Sequence, residues 1–414
     1  MARPSRLLRF EAAESMADAT TGCVLSAMGM VNALGRDPEE SWPRLLAGDQ
    51  SCFRVREDLV PGRRLLVAEV AGPLPAVPER LSAYACRNNS LALAAIEQIH
   101  SEISEALNIH GRDRVGVVIG TSTCGVSEAE AAIRVQVETG RLASAFDYAQ
   151  LEYGGAASFV AELLGVGGPA YTISTACSSG ARALVSARSL LALDVCDAVI
   201  CGAADSLCGL TTNGFTALQA ISETITNPCS ANRDGLTLGE GSVMFLATRG
   251  AEGVRLSGIG ESSEAHHMSA PDPGGAGAES AMRQALEDAQ RAPEDVAYLN
   301  LHGTGTPLND AMECPAITRV FEAPPLSSST KPLVGHTLGA AGGMEAGFCW
   351  LMLRNAEAGE LLVPPHCFDG EVDEALAGVP LAAPGMRAPV GAVMTNSFGF
   401  GGNNCTLVLE LEAS

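Results

Sequence analysis

The residue best suited to covalent chemistry is Cys177, in the segment Ser174–Gly180, STACSSG. A strand-like stretch, AYTIST, ends there and a helical stretch begins, which puts the thiol at a helix N-terminus. Unsatisfied amides and the helix dipole favour a thiolate at such a place, so a lowered thiol pKa is expected. Small Ser and Gly neighbours leave the sulfur approachable, and nearby N–H groups could hold an oxyanion. Most cysteines in a chain of this kind simply pack in the core; the elbow placement is what argues for a nucleophile here.

Three further segments carry polar groups that could serve that nucleophile. His302 opens HGTGTPLND directly after the apolar run AYLNL, so it sits at a strand end facing a cleft, with the hydroxyls of Thr304 and Thr306 beside it. His336 lies in KPLVGHTLGAAGGME, ahead of a stretch apolar enough (AAGGMEAGFCWLML) to be buried. Glu345 within that stretch is then a buried carboxylate, which is costly unless paired. Lys331 is the natural partner and the only lysine in the chain, against 25 arginines. A compact ammonium next to a histidine tunes its protonation. The fourth segment, NSFGFGGNN at Asn396–Asn404, gives a glycine-rich loop that can approach a ligand closely while Phe398 and Phe400 close over it. It precedes a strand, not a helix, so it does not match a dinucleotide-binding loop.

These segments need rigid elements to hold them. Val/Ile/Leu-rich runs at Arg114–Ile119, Asp197–Ala203, Ala297–Leu301, Val390–Met394 and Cys405–Leu411 predict buried strands. Helices are predicted at Asp37–Ala47, Asn89–Ala106, Ser178–Leu193, Ala278–Gln290 and Gly342–Leu353. The alternation implies an α/β protein with helices on both sheet faces. A faint echo, in which Cys177 and His336 each open a Gly/Ala-rich helix followed by a strand and a Gly-containing loop, suggests a duplicated core whose halves meet near residue 250.

The chain of 414 residues, 47% hydrophobic, is long enough for a large core. Its net charge of −22 disfavours nucleic acid and anionic membranes. Arg54, Arg56, Arg63 and Arg64 form one candidate basic patch for an acidic partner. Thirteen cysteines without a Cys-x-x-Cys suggest neither a zinc ribbon nor a thioredoxin site, so no metal is expected, and a reducing cytoplasm fits best. His266 and His267 are expected at the surface, as are His100 and His110 unless structural. Residues 1–16 read as a disordered tail without a secretory h-region, and no stretch approaches membrane-spanning length.

STACSSG, HGTGTPLND, KPLVGHTLGAAG and NSFGFGGNN, in this order, resemble the motifs of β-ketoacyl-[acyl-carrier-protein] synthases I and II, condensing enzymes of the thiolase fold. GRDPEESWPRLLAGDQS, GFTALQAIS and ANRDGLTLGEG extend the likeness over about residues 20–412. The resemblance implies a five-layer α-β-α-β-α fold of two similar halves, 17–250 and 251–414, and a homodimer or a heterodimer with a related ketosynthase-like subunit. It implies a Cys177–His302–His336 triad, an oxyanion hole from the amides of Cys177 and Phe400, and a gate at Phe400 and Phe398. Lys331 paired with Glu345 would set the histidines' protonation, and Thr304 and Thr306 would bind phosphopantetheine. No bound cofactor is implied, because acyl carrier protein delivers the substrates. The reaction implied is decarboxylative condensation of a Cys-bound acyl chain with malonyl carrier. Alternatives are a subunit active only with a chain-length-factor partner, and a coenzyme A-dependent thiolase. NPCSANRDG departs from the aromatic and acidic stretch usual before RDG. GTSTCG at Gly120–Gly125 is polar for a saturated-acyl pocket, which opens specialised polyketide or polyene chains beside fatty acids.

Overall fold

A computed structural model describes residues 22–250 and 252–411; the tail expected over residues 1–16 lies outside the described residues. Apolar, β-branched runs bounded by glycine and polar turns form the ten strands of the main sheet: β1 (Val24–Val31), β2 (Val115–Gly120), β3 (Ala170–Ile173), β4 (Ala198–Asp205), β5 (Gly241–Thr248), β6 (Val254–Ser263), β7 (Val296–Asn300), β8 (Leu326–Ser328), β9 (Ala392–Gly399) and β10 (Asn403–Leu411). Their order is β8-β7-β9-β10-β6-β1-β5-β4-β2-β3. The two five-strand groups therefore share one topology, with β6 to β10 repeating the places of β1 to β5. Pairing direction repeats too. β2 runs parallel to β3 and β4, while β5 is antiparallel to β4 and β1. β7 runs parallel to β8 and β9, while β10 is antiparallel to β9 and β6. The groups join where Val24 and Leu25 of β1 meet Arg255 and Val254 of β6.

Helices fill the spaces between and outside these groups: α1 (Pro38–Leu46), α2 (Arg87–Gln98), α3 (His100–His110), α4 (Val126–Thr139), α5 (Ser179–Ala192), α6 (Gly209–Ala217), α7 (Ala276–Ala289), α8 (Pro307–Val320) and α9 (Ala341–Arg354). α5 and α9 pack on each other in the middle layer, α5 against β2 and β4 and α9 against β9 and β10. α2 covers the outer face of the first group, and α7 that of the second. This is the thiolase-like α-β-α-β-α arrangement of two similar halves. Its central core joins Leu184, Ala187, Val243, Phe245, Phe348 and Met352, drawing on both halves.

The middle layer explains the glycine-rich helix starts. A Cβ on Gly180 would lie 2.6 Å from the backbone N of Gly343 and 3.1 Å from Cβ of Ala203. Only hydrogen at that position lets α5 and α9 cross so closely, and the crossing fixes the two helix ends that carry Cys177 and His336.

Two predicted elements differ. The helix expected over Asn89–Ala106 is two helices broken at Ile99, where φ is −117° and ψ 20°. The Gln98 side chain turns to β1 there: its Oε1 accepts from Met30 N–H, and its Nε2 donates to Met30 O and Arg36 O. Tertiary hydrogen bonds override a sequence without a local breaker. Likewise, NSFGFGGNN is mostly strand. β9 continues through Gly399 and β10 starts at Asn403, so the loop proper is Phe400–Gly402.

Candidate active site

Cys177 sits in a strained elbow between β3 and α5. Ala176 before it has φ of +54°, an unfavourable conformation for a residue with a Cβ. Local hydroxyls hold the turn. Thr175 N–H donates to Ser179 Oγ at 2.8 Å, Ser178 Oγ donates to Thr175 O at 2.9 Å, and Ser179 Oγ donates to Ala176 O at 2.6 Å. The β9–β10 turn comes against this elbow because residue 399 is glycine: a Cβ there would be 3.0 Å from Thr175 O and 3.3 Å from Cys177 N. That approach aims the Phe400 N–H at the Cys177 sulfur, with Cys177's own N–H also near it.

His302 follows β7. Its loop is anchored by a carboxylate that sequence reasoning missed: Glu313 on α8 accepts from His302 N–H and Gly303 N–H, each at 2.8 Å. The available signal was an acid on a helix whose neighbours, Met312, Cys314, Ala316 and Ile317, are all apolar and buried. His336 precedes α9 by way of the turn Leu338–Ala340, where Leu338 has φ of +53°.

The two imidazoles are set in the same tautomer by different donors. Leu338 N–H donates to His336 Nδ1 at 3.2 Å. The Lys331 ammonium lies 3.4 Å from His302 Nδ1 and also donates to His302 O and to Glu345 Oε1. With Nδ1 accepting in both rings, each neutral imidazole carries its proton on Nε2. His336 Nε2 is 3.1 Å from Cys177 Sγ. It therefore donates toward the sulfur. The rings stand edge to face, 5.6 Å between centroids.

Burial dominates the electrostatics. It holds both imidazoles well below the ordinary histidine value, helped by the nearby Lys331 charge, so both are neutral at pH 7. It lifts the Glu345 carboxyl to about 7 even with Lys331 beside it, and Glu345 Oε2 has no hydrogen-bond partner among the described residues. The lowered thiol pKa expected at Cys177 is corrected here. Burial pushes it up to about 11, outweighing the Lys331 charge and the Phe400 N–H. The resting group is a thiol. One donor atom each of Cys177, His302 and His336 lies within 4.8 Å of the others. A metal ion would face the Lys331 ammonium there and two nitrogens that already bear protons, so the donor set fits a metal poorly.

The three residues line a cavity of about 330 Å³, together with Thr304, Thr306, Phe398 and Phe400. Thr304 and Thr306 share a hydroxyl–hydroxyl hydrogen bond of 2.8 Å, and Thr304 O accepts from Thr226 Oγ1 at 2.6 Å. The Phe400 ring leans on Phe215, centroids 5.4 Å apart, and the Phe398 ring stands 6.0 Å from His302. Cys177, His302, His336, Thr304, Thr306, Phe398 and Phe400 thus line one cleft, with the Lys331–Glu345 pair buried beside His302. The arginine patch does not hold as four free cations. Arg56 pairs with Asp58 and Glu69, and Arg64 with Glu57; Arg54 and Arg63 are exposed. His266, His267 and His100 are exposed, His110 is half-buried, and all thirteen cysteines are free, twelve of them buried.

Comparison with known proteins bears on the family and the fold. A family model described as the N-terminal domain of beta-ketoacyl synthase matches residues 22–252, and one described as its C-terminal domain matches residues 254–362. A 3-oxoacyl-[acyl-carrier-protein] synthase 2 of Coxiella burnetii is 33% identical, covering 94% of this chain and 98% of that one. The protein of that name from Staphylococcus aureus is 31% identical over 94% and 97%. Among solved structures, a ketosynthase from Xenorhabdus doucetiae, determined in complex with its chain length factor, is 41% identical with a TM-score of 0.89, covering 94% of this chain and 98% of that one. Among the described residues no helix is long and apolar enough to cross a membrane.

Proposed function

Since this chain belongs to the β-ketoacyl synthase family, we propose that Cys177 takes an acyl group from a carrier protein and that His302 and His336 drive its condensation with malonyl carrier. The observation that carries the reading is the cluster of Cys177 with two neutral imidazoles, His336 Nε2 at 3.1 Å from the sulfur and a donor atom of each of the three residues within 4.8 Å of the others. In the first half-reaction the sulfur attacks the acyl thioester, and the pantetheine sulfur leaves with the proton that Cys177 gave up. The thiolate forms transiently, stabilised by the Phe400 N–H, the His336 Nε2–H and the α5 terminus. The same backbone N–H groups face the oxyanion of the tetrahedral intermediate.

In the second half-reaction the malonyl thioester oxygen accepts from both imidazoles. Carbon dioxide leaves, its bonding electrons pass into the enolate, and the two neutral donors bear the developing charge. The enolate carbon then attacks the acyl carbon, expelling the Cys177 thiolate and releasing a β-ketoacyl carrier two carbons longer. Lys331 acts through His302 by keeping Nδ1 an acceptor. Thr304 and Thr306 offer hydroxyls to the amides of the pantetheine arm. Phe400, with Phe398 behind it, forms the movable wall over the sulfur.

The test separates the halves. His302→Ala is expected to retain acyl transfer to Cys177 while malonyl decarboxylation falls about 10²- to 10³-fold, the usual loss of one such donor. Decarboxylation at the wild-type rate would overturn the assignment.

A second reading concerns assembly. The identity to the Xenorhabdus ketosynthase, 41%, exceeds the 31–33% to the fatty-acid-type synthases named above. It favours a catalytic subunit paired with a chain-length-factor-like partner and a specialised acyl chain. Size-exclusion of the chain expressed alone and with such a partner tests this; a stable, fully active homodimer would count against it.

A further inference from the structure

Three strained residues lie in the segments around the site: Ala176 before the nucleophile, Leu338 in the turn that sets His336, and Cys124 in the loop after β2 whose Ser122 reaches Ala176, with φ of +54°, +53° and +44°. None is glycine, so each conformation must be enforced from outside. Ala176 has a local clamp: Ser179 Oγ donates to its carbonyl and Ser178 Oγ to that of Thr175. The other two share one.

Asp205, the last residue of β4, is fully buried. Its Oδ1 accepts from Thr121 Oγ1 at 2.7 Å, Ser122 N–H at 2.8 Å, Thr123 N–H at 2.8 Å and Thr123 Oγ1 at 2.8 Å. Its Oδ2 accepts from Gly339 N–H at 2.6 Å and Ser122 N–H at 3.1 Å. One carboxylate thus ties the loop after β2 to the turn before α9. The two segments touch: a Cβ on Gly339 would lie 2.6 Å from Ser122 Oγ. The Gly339 N–H held by Asp205 follows directly on the Leu338 N–H that donates to His336 Nδ1. Among the described residues no cation pairs with Asp205, so a charge here is balanced by hydrogen bonds to these two segments, which is costly unless the arrangement serves something.

We infer that Asp205 is a positioning residue for the condensation: by holding Gly339 against the Thr121–Thr123 loop it keeps Leu338 in its strained turn, and so fixes the His336 tautomer that presents Nε2–H to the malonyl thioester. The inference rests on the roles proposed for Cys177 and His336. It goes further by making the two half-reactions unequally sensitive to one residue that touches neither substrate. The elbow at Cys177 is held mainly by its own hydroxyls and meets the Asp205-held loop through one long hydrogen bond, Ser122 Oγ to Ala176 O at 3.5 Å, whereas Asp205 binds the turn at His336 directly through Gly339 N–H.

Asp205→Asn keeps the shape but turns an NH2 group toward N–H donors. It is expected to lower malonyl-carrier decarboxylation about 100-fold, the effect of misplacing a reacting group by about 1 Å. Acylation of Cys177 should fall less than about tenfold, and KM for malonyl carrier should stay near wild type. Thr123→Val removes one hydroxyl donor and should give a smaller, selective fall in decarboxylation of about fivefold. Nitrogen-15 NMR of labelled histidines should show His336 losing its single Nε2–H tautomer in Asp205→Asn. Equal loss in both half-reactions, or an unchanged His336 signal, overturns the inference. Should Asp205→Asn fail to fold, Thr123→Val decides, and absence of a selective loss in it counts against the role. A wild-type protein that never acylates Cys177 would instead bring down the underlying reading.

Discussion

Replacing Lys331 with methionine separates what the buried ion pair does for stability from what it does for catalysis. Lys331 is 1% exposed and Glu345 2%, and the ammonium touches Glu345 Oε1, His302 O and His302 Nδ1. Removing one member of such a pair costs about 3–5 kcal/mol, because the other charge stays buried. Glu345, with its carboxyl already raised to about 7, can take up a proton instead, so about 3 kcal/mol is expected at pH 7. Replacing both, as Lys331→Met with Glu345→Leu, should recover most of that stability, since an apolar pair has no charge to desolvate. Catalysis should not recover. His302 then lacks the donor at Nδ1, its proton is no longer confined to Nε2, and the nearby positive charge no longer opposes a second protonation. Both variants should lose about 100-fold in malonyl decarboxylation. Urea unfolding and carbon dioxide release from malonyl carrier measure the two effects. A double variant that decarboxylates at the wild-type rate would refute the link from Lys331 through His302.

Two other outcomes follow from the packing. His366 is buried with Nδ1 accepting from Ser329 N–H and Nε2 donating to Pro228 O, and burial lowers its pKa to about 4. The unfolded chain therefore takes the proton first, so the contribution of His366 to stability is complete above about pH 6.5 and is lost as pH falls toward 4. His366→Gln should flatten the pH dependence of unfolding free energy by about 1.4 kcal/mol per pH unit in that window, and an unchanged slope in urea titrations would contradict this. Gly180→Ala should cost at least about 2 kcal/mol, because the α5–α9 crossing has no room for a methyl group; wild-type thermal stability in calorimetry would contradict the close crossing.

The chemistry was legible in the sequence wherever it is local. STACSSG and KPLVGHTLGAAG are contiguous, and their glycines mark the α5–α9 crossing that places Cys177 and His336. The Lys331–Glu345 pair was legible for another reason: an acid within AAGGMEAGFCWLML has to find a cation, and the chain has one lysine. What escaped depends on partners distant along the chain. Glu313 and Asp205 bind backbone N–H groups 10 and more residues away, and N–H groups carry no residue identity to read. The Cys177 pKa escaped similarly, since the helix terminus is visible in sequence whereas complete burial is set by both halves closing over it. The break at Ile99 follows from Gln98 reaching β1, 68 residues away. The repeated strand order could be only faintly suspected, because the halves share topology and motif position far more than residues.

The most direct test of the account is intact-mass spectrometry of the protein incubated with acyl-carrier proteins bearing chains of different length and unsaturation, followed by malonyl-carrier. The account predicts a mass gain that maps to Cys177 with a subset of the acyl chains and is absent in Cys177→Ala. It then predicts loss of that mass on adding malonyl-carrier, with release of carbon dioxide and a β-ketoacyl carrier two carbons longer. An acyl group that forms on another residue, or an adduct on Cys177 that malonyl-carrier leaves in place, would contradict it.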